Sequence, residues 1–282
     1  MENISQQQEG LINVERVIAS KSRRLKKLLP GFIIRYLRRV IHEEDVNGLL
    51  LRYKELTGLD FIDAILKEFG AVVTAVGQEN IPKEGRIIIS SNHPLGGLDG
   101  LALMQVVGKV RKDLLFPVND LLMHIPNLKP LFIPVNKHGR NTENLQIFDN
   151  AFAGGSAILY FPAGFCSRKV NGKITDLEWK KTFVAKARQH SRDIVPAYID
   201  GRNTNFFYNL ANLRVKLGIK TNIEMIFLVN EMFKQRDKQI RIRFGKPISF
   251  TTFDRSKKDN AWADFLKKET YSLAAEVSEK DS

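Results

Sequence analysis

A single cysteine, Cys166, stands in the 282 residues of the chain. One thiol excludes an internal disulfide, so nothing here requires an oxidising compartment. No run reaches the roughly 18 uninterrupted apolar residues that a bilayer-crossing helix needs. The first ten residues are polar and lack the basic start and apolar core of a secretion signal, so the chain is expected to stay in the cytoplasm. His42, His124, His138 and His190 are scattered without metal-ligand spacing, and no metal or bound cofactor is expected. Pro- or Ser-rich linkers, repeats and low-complexity tracts are also absent. That leaves only a soft boundary near Gly70, between a region at 1–70 and a domain at 71–282.

What is present is a globular composition, 43% hydrophobic and 27% charged, with a formal net charge of +13. That excess calls for an anionic partner, nucleic acid or a lipid surface. No nucleic-acid recognition motif occurs, and no aromatic platform is interleaved with the basic residues. Residues 14–40 do interleave basic and apolar side chains, with Lys21, Arg23, Arg24, Lys26 and Lys27 ahead of Phe32-Ile33-Ile34-Arg35-Tyr36-Leu37-Arg38-Arg39. This fits either a helix lying on an anionic membrane or a packed hairpin with a basic outer side. A second helical pattern runs over 46–69, broken near Gly58.

From Ala71 onward short apolar runs alternate with amphipathic segments. The expected fold is therefore α/β, with a mixed, largely parallel sheet of six to seven strands flanked by helices behind a helical N-terminal region. Strands are predicted at 72–76, 86–90, 114–118, 156–161, 193–198, 223–229 and 239–244, and helices at 101–109, 142–153, 178–190 and 260–280.

Between the second strand and the helix after it lies Ser91-Asn92-His93-Pro94-Leu95-Gly96-Gly97-Leu98-Asp99-Gly100. A strand-to-helix loop rich in Gly can set an imidazole beside a carboxylate. The imidazole then takes a proton from an attacking hydroxyl, while the carboxylate fixes its tautomer. An ordinary polar turn reads the same ten residues without chemistry. Three further stretches bear on the choice: Lys129-Pro130-Leu131-Phe132-Ile133-Pro134-Val135-Asn136-Lys137, Phe161-Pro162-Ala163-Gly164-Phe165-Cys166-Ser167-Arg168, and Asp193-Ile194-Val195-Pro196-Ala197-Tyr198. A strictly alternating segment, Gln239-Ile240-Arg241-Ile242-Arg243-Phe244, closes the pattern.

Together these stretches resemble the glycerolipid acyltransferases, the family of bacterial lysophosphatidate acyltransferases, over about residues 77–248. The resemblance implies that His93, oriented by Asp99, is the general base for direct attack of an acceptor hydroxyl on an acyl thioester. Most members have four residues between the His and the Asp, and here there are five. It further implies that Ser167 and Arg168, with Lys137 or Arg140, hold the acceptor's anionic group, and that Gly96, Gly97 and Gly164 supply loop backbone or oxyanion donors. Ala163 stands where the family's block carries a Glu that grips glycerol. That departure is similar to the branch acylating lyso-aminolipids, whose acceptors are N-(3-hydroxyacyl) amino acids. The implied partners are acyl carrier protein or acyl-CoA as donor, a lyso-lipid acceptor and the cytoplasmic face of the inner membrane, to which the chain attaches peripherally. Two alternatives stay open: a 1-acylglycerol-3-phosphate acyltransferase, and a lipid-binding protein of the same fold without turnover. Cys166 and Ser167 beside His93 also invite an acyl-enzyme reading, which ranks below direct attack.

Overall fold

The computed structural model describes residues 12–120, 122–135 and 142–274. Its sheet is built from β1 (Val72–Val76), β2 (Ile87–Ser91), β3 (Leu114–Val118), β4 (Phe132–Pro134), β5 (Ala157–Tyr160), β8 (Asp193–Ile199) and β9 (Gln239–Phe244). A small antiparallel hairpin, β6 (Arg168–Val170) and β7 (Lys173–Thr175), stands apart from it. The seven strands run in the order β1-β9-β8-β2-β5-β3-β4. Every neighbouring pair is parallel except β8 with β9, so the sheet is mixed and largely parallel, as the alternation of runs predicts.

The central strands are largely apolar because both of their faces are covered. Side chains alternate across the sheet: Ile87 and Ile89 enter one core cluster and Ile88 the other, while Val195 and Ala197 oppose Ile194 in the same way. On the first face lie α5 (Gly58–Glu68) and α6 (Leu98–Val110). On the second lie α7 (Thr142–Ala153), α8 (Thr182–Gln189) and α11 (Asp259–Ser272). Leu49 and Leu50 from α4 (Glu43–Arg52) join Phe61, Ile62, Ile65 and Leu66 of α5 in the first cluster.

Ahead of these come α1 (Val14–Lys21), α2 (Arg23–Leu28) and α3 (Gly31–Val40). The buried Glu43 carboxylate ties them down, accepting from the Val14 amide at 2.8 Å and from Arg38 Nε at 2.9 Å. His42 stacks on Phe233 of α10 (Leu228–Phe233) at 4.0 Å.

Two predicted elements are corrected. Residues 223–229, expected as a strand, form a 3₁₀ turn at Ile223–Phe227 that runs into α10. Glu224 and Glu231 explain this: both are buried, seven residues apart, and each is held by a different partner set. A helical path satisfies both, whereas a strand would point them to opposite faces. The predicted helix at 178–190 begins only at Thr182, because Trp179 turns inward. The predicted helix at 260–280 is α11, and residues past 274 lie outside the described ones. The seventh strand is β4, a three-residue piece paired with β3.

Candidate active site

β8, β2 and β5 are adjacent, parallel and central, so their carboxyl ends open on one edge, the usual ligand-binding edge of an open α/β sheet. His93 follows β2, Phe161 follows β5 and Asp200 follows β8. Asn92 finishes the strand in an unusual way. Its side-chain amide donates to the Ile199 carbonyl at 2.9 Å and its Oδ1 accepts from the Ile199 amide at 2.7 Å, so a side chain continues the ladder while the backbone turns away.

His93 Nδ1 lies 2.9 Å from Asp99 Oδ2. The five-residue spacing keeps the contact because Gly96 adopts φ +85°, where side-chain-bearing residues are strained. The Asp99 side chain is fully buried and that of His93 is 17% exposed. Asp99 also accepts from the amides of Leu95 at 2.8 Å, Gly96 at 3.1 Å and Gly100 at 2.9 Å. Burial pushes its carboxyl up, but the His93 charge and hydrogen bond, with the Leu95 and Gly96 amides, prevail and hold it below the ordinary value. An ionised Asp99 only accepts, so Nδ1 carries a proton, and in the neutral imidazole this tautomer leaves the lone pair on Nε2. The imidazole stacks on Phe161 with centroids 4.1 Å apart, and Phe116 meets Phe161 edge-on. This geometry is that of an oriented base with one free nitrogen in an apolar wall.

The loop's other anchor is Asp176, which the sequence reading passed over. It accepts from the His93 amide at 3.2 Å, Ser167 Oγ at 2.6 Å and Trp179 Nε1 at 2.9 Å, and its own amide donates to the Tyr271 hydroxyl at 2.7 Å. Burial pushes its carboxyl up, against these hydrogen bonds. A signal for its placement exists in the sequence: Asn171-Gly172 is a two-residue hairpin turn, and it sets β7 so that Asp176 returns to the loop.

The remaining expected site residues divide. Ser167 closes on the loop, its amide donating to the His93 carbonyl at 2.8 Å. Arg168 is buried, and its guanidinium donates to the Cys166 carbonyl at 2.6 Å and Glu224 Oε1 at 2.7 Å while lying over the Phe207 ring. Its fork is therefore turned onto an internal carboxylate instead of an open site. Lys137 and Arg140 lie outside the described residues. The Gly96 amide is spent on Asp99, and the Gly164 amide donates to the Phe161 carbonyl at 3.0 Å, so both shape the loops. Gly97 caps the N-terminus of α6. Burial pushes the Cys166 thiol up to about 12, which leaves it a poor nucleophile. Among the described residues no group of His, Cys, Asp or Glu is gathered to hold a metal ion.

Beside the loop opens a cleft of about 270 Å³ lined by Asn92, Pro94, Ser167, Tyr198, Arg202 and Tyr271, with three others. Tyr198 ends the Asp193 to Tyr198 stretch, whereas Arg202 and Tyr271 had no motif to announce them.

A buried carboxylate orienting a histidine on a Gly-rich loop at the strands' carboxyl ends is an arrangement able to take a proton from a hydroxyl. Residues 16–279 match the Acyltransferase family, and the chain belongs to it. It is an acyltransferase. Over 265 residues it is 44% identical to the lyso-glycine lipid O-acyltransferase of Bacteroides thetaiotaomicron, covering 93% of this chain and 97% of that one. The enzyme of the same name from Phocaeicola vulgatus is 43% identical over 265 residues, covering 93% and 95%. Among solved structures, the 1-acyl-sn-glycerophosphate acyltransferase PlsC of Thermotoga maritima is similar at a TM-score of 0.46 and 17% identity, covering 85% of this chain and 95% of that one.

Proposed function

We propose that the chain is a lyso-aminolipid O-acyltransferase that moves a fatty acyl group from an acyl-carrier-protein or acyl-CoA thioester to the hydroxyl of an N-(3-hydroxyacyl) amino acid. The observation that carries the chemistry is the 2.9 Å pair of His93 and Asp99. The names of the relatives support the acceptor class.

His93 Nε2 takes the proton of the acceptor hydroxyl as its oxygen bonds to the thioester carbonyl carbon. Asp99 stabilises the imidazolium that results. The carbonyl oxygen becomes an oxyanion, for which the Gly97 amide at the positive end of α6 is the donor. Collapse breaks the C–S bond, and the departing thiolate takes the proton from His93 Nε2. The acceptor's carboxylate meets Arg202 in the cleft. Ser167 and Arg168 serve by bracing the loop around His93. Lys137 and Arg140 remain candidates for the acceptor's anionic group.

The enzyme works from the membrane surface, on the cytoplasmic face of the inner membrane. Among the described residues no helix is long and apolar enough to cross a bilayer. α3 instead carries Phe32 and Tyr36 exposed, with Arg35 and Arg39 beside them. This is the composition of an interfacial helix.

The test offers long-chain acyl carrier protein or acyl-CoA with N-(3-hydroxyacyl)glycine and, separately, lysophosphatidate, to wild type and His93→Ala. Transfer to the amino-acid lipid that falls about 10³-fold in a folded variant is expected. Preference for lysophosphatidate would overturn the acceptor, and full activity in the variant would overturn the base.

A further inference from the structure

The formal net charge is +13, yet it is confined to two places. Residues 16–42 hold nine Lys and Arg and no acidic residue; residues 201–223 hold four and again none. Together they account for the whole excess, and the rest of the chain is balanced. The first segment contains α1 to α3. The second contains α9 (Asn205–Lys216) and the turn after it.

α9 carries apolar residues on two sides. Phe207, Tyr208 and Ala211 are buried against the hairpin side of the molecule. Phe206, Leu213 and Leu217, spaced seven and four apart, form a second stripe that stands in solvent. Leu217 is 64% exposed and the neighbouring Val215 65% exposed, with Ile219 following. Lys216 and Lys220 are exposed among them, whereas Arg214 is turned inward to Glu224. The two basic segments also adjoin. The 3₁₀ turn Ile223–Phe227 packs against α3 on one side and α9 on the other, and its Phe227 ring meets Phe206 edge-on at 5.0 Å.

We propose that the outer stripe of α9 and the Val215 to Lys220 turn form a second membrane contact, which binds an anionic bilayer surface together with α3. This rests on the reading that the enzyme works at a membrane. The charge fits anionic lipid, since Lys216 and Lys220 stand exposed in the stretch and residues 201–223 hold nothing acidic to repel it. The shape fits lipid as well. Aliphatic side chains that protrude singly need a matching hollow in a protein partner, but lipid chains close around any contour. Two contacts also do what one helix cannot. A single helix anchors the molecule and leaves it free to tilt, whereas two fix the height and angle of the site over the bilayer.

The experiment places a tryptophan at the surface by Leu217→Trp, Phe32→Trp or, on the edge strand β1, Val76→Trp, and records emission with vesicles of phosphatidylethanolamine and phosphatidylglycerol. The native Trp179 and Trp262 are buried and give a constant background. A blue shift at positions 217 and 32 but not at 76 is expected. Val215→Glu with Leu217→Glu should weaken vesicle binding at least tenfold while leaving turnover of a dispersed short-chain acceptor unchanged. No shift at 217 overturns the proposal: a response at 32 alone would leave the surface reading intact, and silence at both would remove that reading too. A shift at 217 that appears without vesicles as protein concentration rises would give the face to a second copy. One produced only by acyl carrier protein would give it to the donor. Either result overturns the proposal.

Discussion

At Gly96 a Cβ would meet Cys166 Sγ and Leu228 Cδ2, each at 2.7 Å, on a backbone already at φ +85°. Gly96→Ala therefore combines left-handed strain with overpacking, and a loss of about 2–4 kcal/mol is expected in thermal or denaturant unfolding. The residue also lies between the base and its carboxylate, so kcat should fall further than the stability loss explains. Retained kcat in the folded fraction would show that the His93 and Asp99 contact tolerates a different loop. At this scale the sequence was informative where a residue's chemistry is local. The Asn92-His93 to Asp99 spacing announced a pair that the structure brings together. The Asn171-Gly172 turn marks the hairpin that returns Asp176 to the loop, but not its role, because its partners, His93, Ser167, Trp179 and Tyr271, come from separate parts of the chain and carry no shared motif. Arg168 was legible as a cation that seeks an anion, but the sequence could not say that Glu224 would claim it.

Between elements, the joint that matters most is Glu224. Fully buried, it pairs with Arg168 of β6 at 2.7 Å and Arg214 of α9 at 2.9 Å, and so fastens the 3₁₀ turn to the hairpin and the helix at once. Glu224→Ala would strand two guanidinium groups in the interior, and a cost of about 3–5 kcal/mol is expected by chemical denaturation. Glu224→Gln, which still accepts one hydrogen bond, should cost less. Equal stability of all three proteins would mean that water already reaches the pair. The same ion pairs explain why 223–229 misled: its apolar residues suit a strand, but the partners of the two buried acids, Arg168, Arg214 and Thr204, lie outside the segment and decide its path. Strands of the sheet proper were readable because each carries its own pattern, as in 72–76, 114–118 and 239–244, which coincide with β1, β3 and β9.

For the molecule as a whole, surface attachment predicts a marked response to salt. Exposed charges beyond about 8 Å are screened at physiological ionic strength. Vesicle co-sedimentation should thus weaken steeply as sodium chloride rises, more so with anionic than with zwitterionic lipid. Salt-independent binding would place the affinity in apolar insertion alone. The fold class was legible at this scale because alternation of strands and helices is a property of the entire chain. The order of the strands was not, since it depends on who meets whom across long separations. β1 is the case in point: among the described residues it pairs only with β9, Val72 opposite Gln239. During synthesis, then, the first strand leaves the ribosome long before its sole neighbour exists. It must wait, β-branched and unpaired, until nearly all of the chain has followed. A stall or truncation anywhere before β9 would release a chain whose opening strand has nothing to pair with, a ready substrate for chaperones or for aggregation.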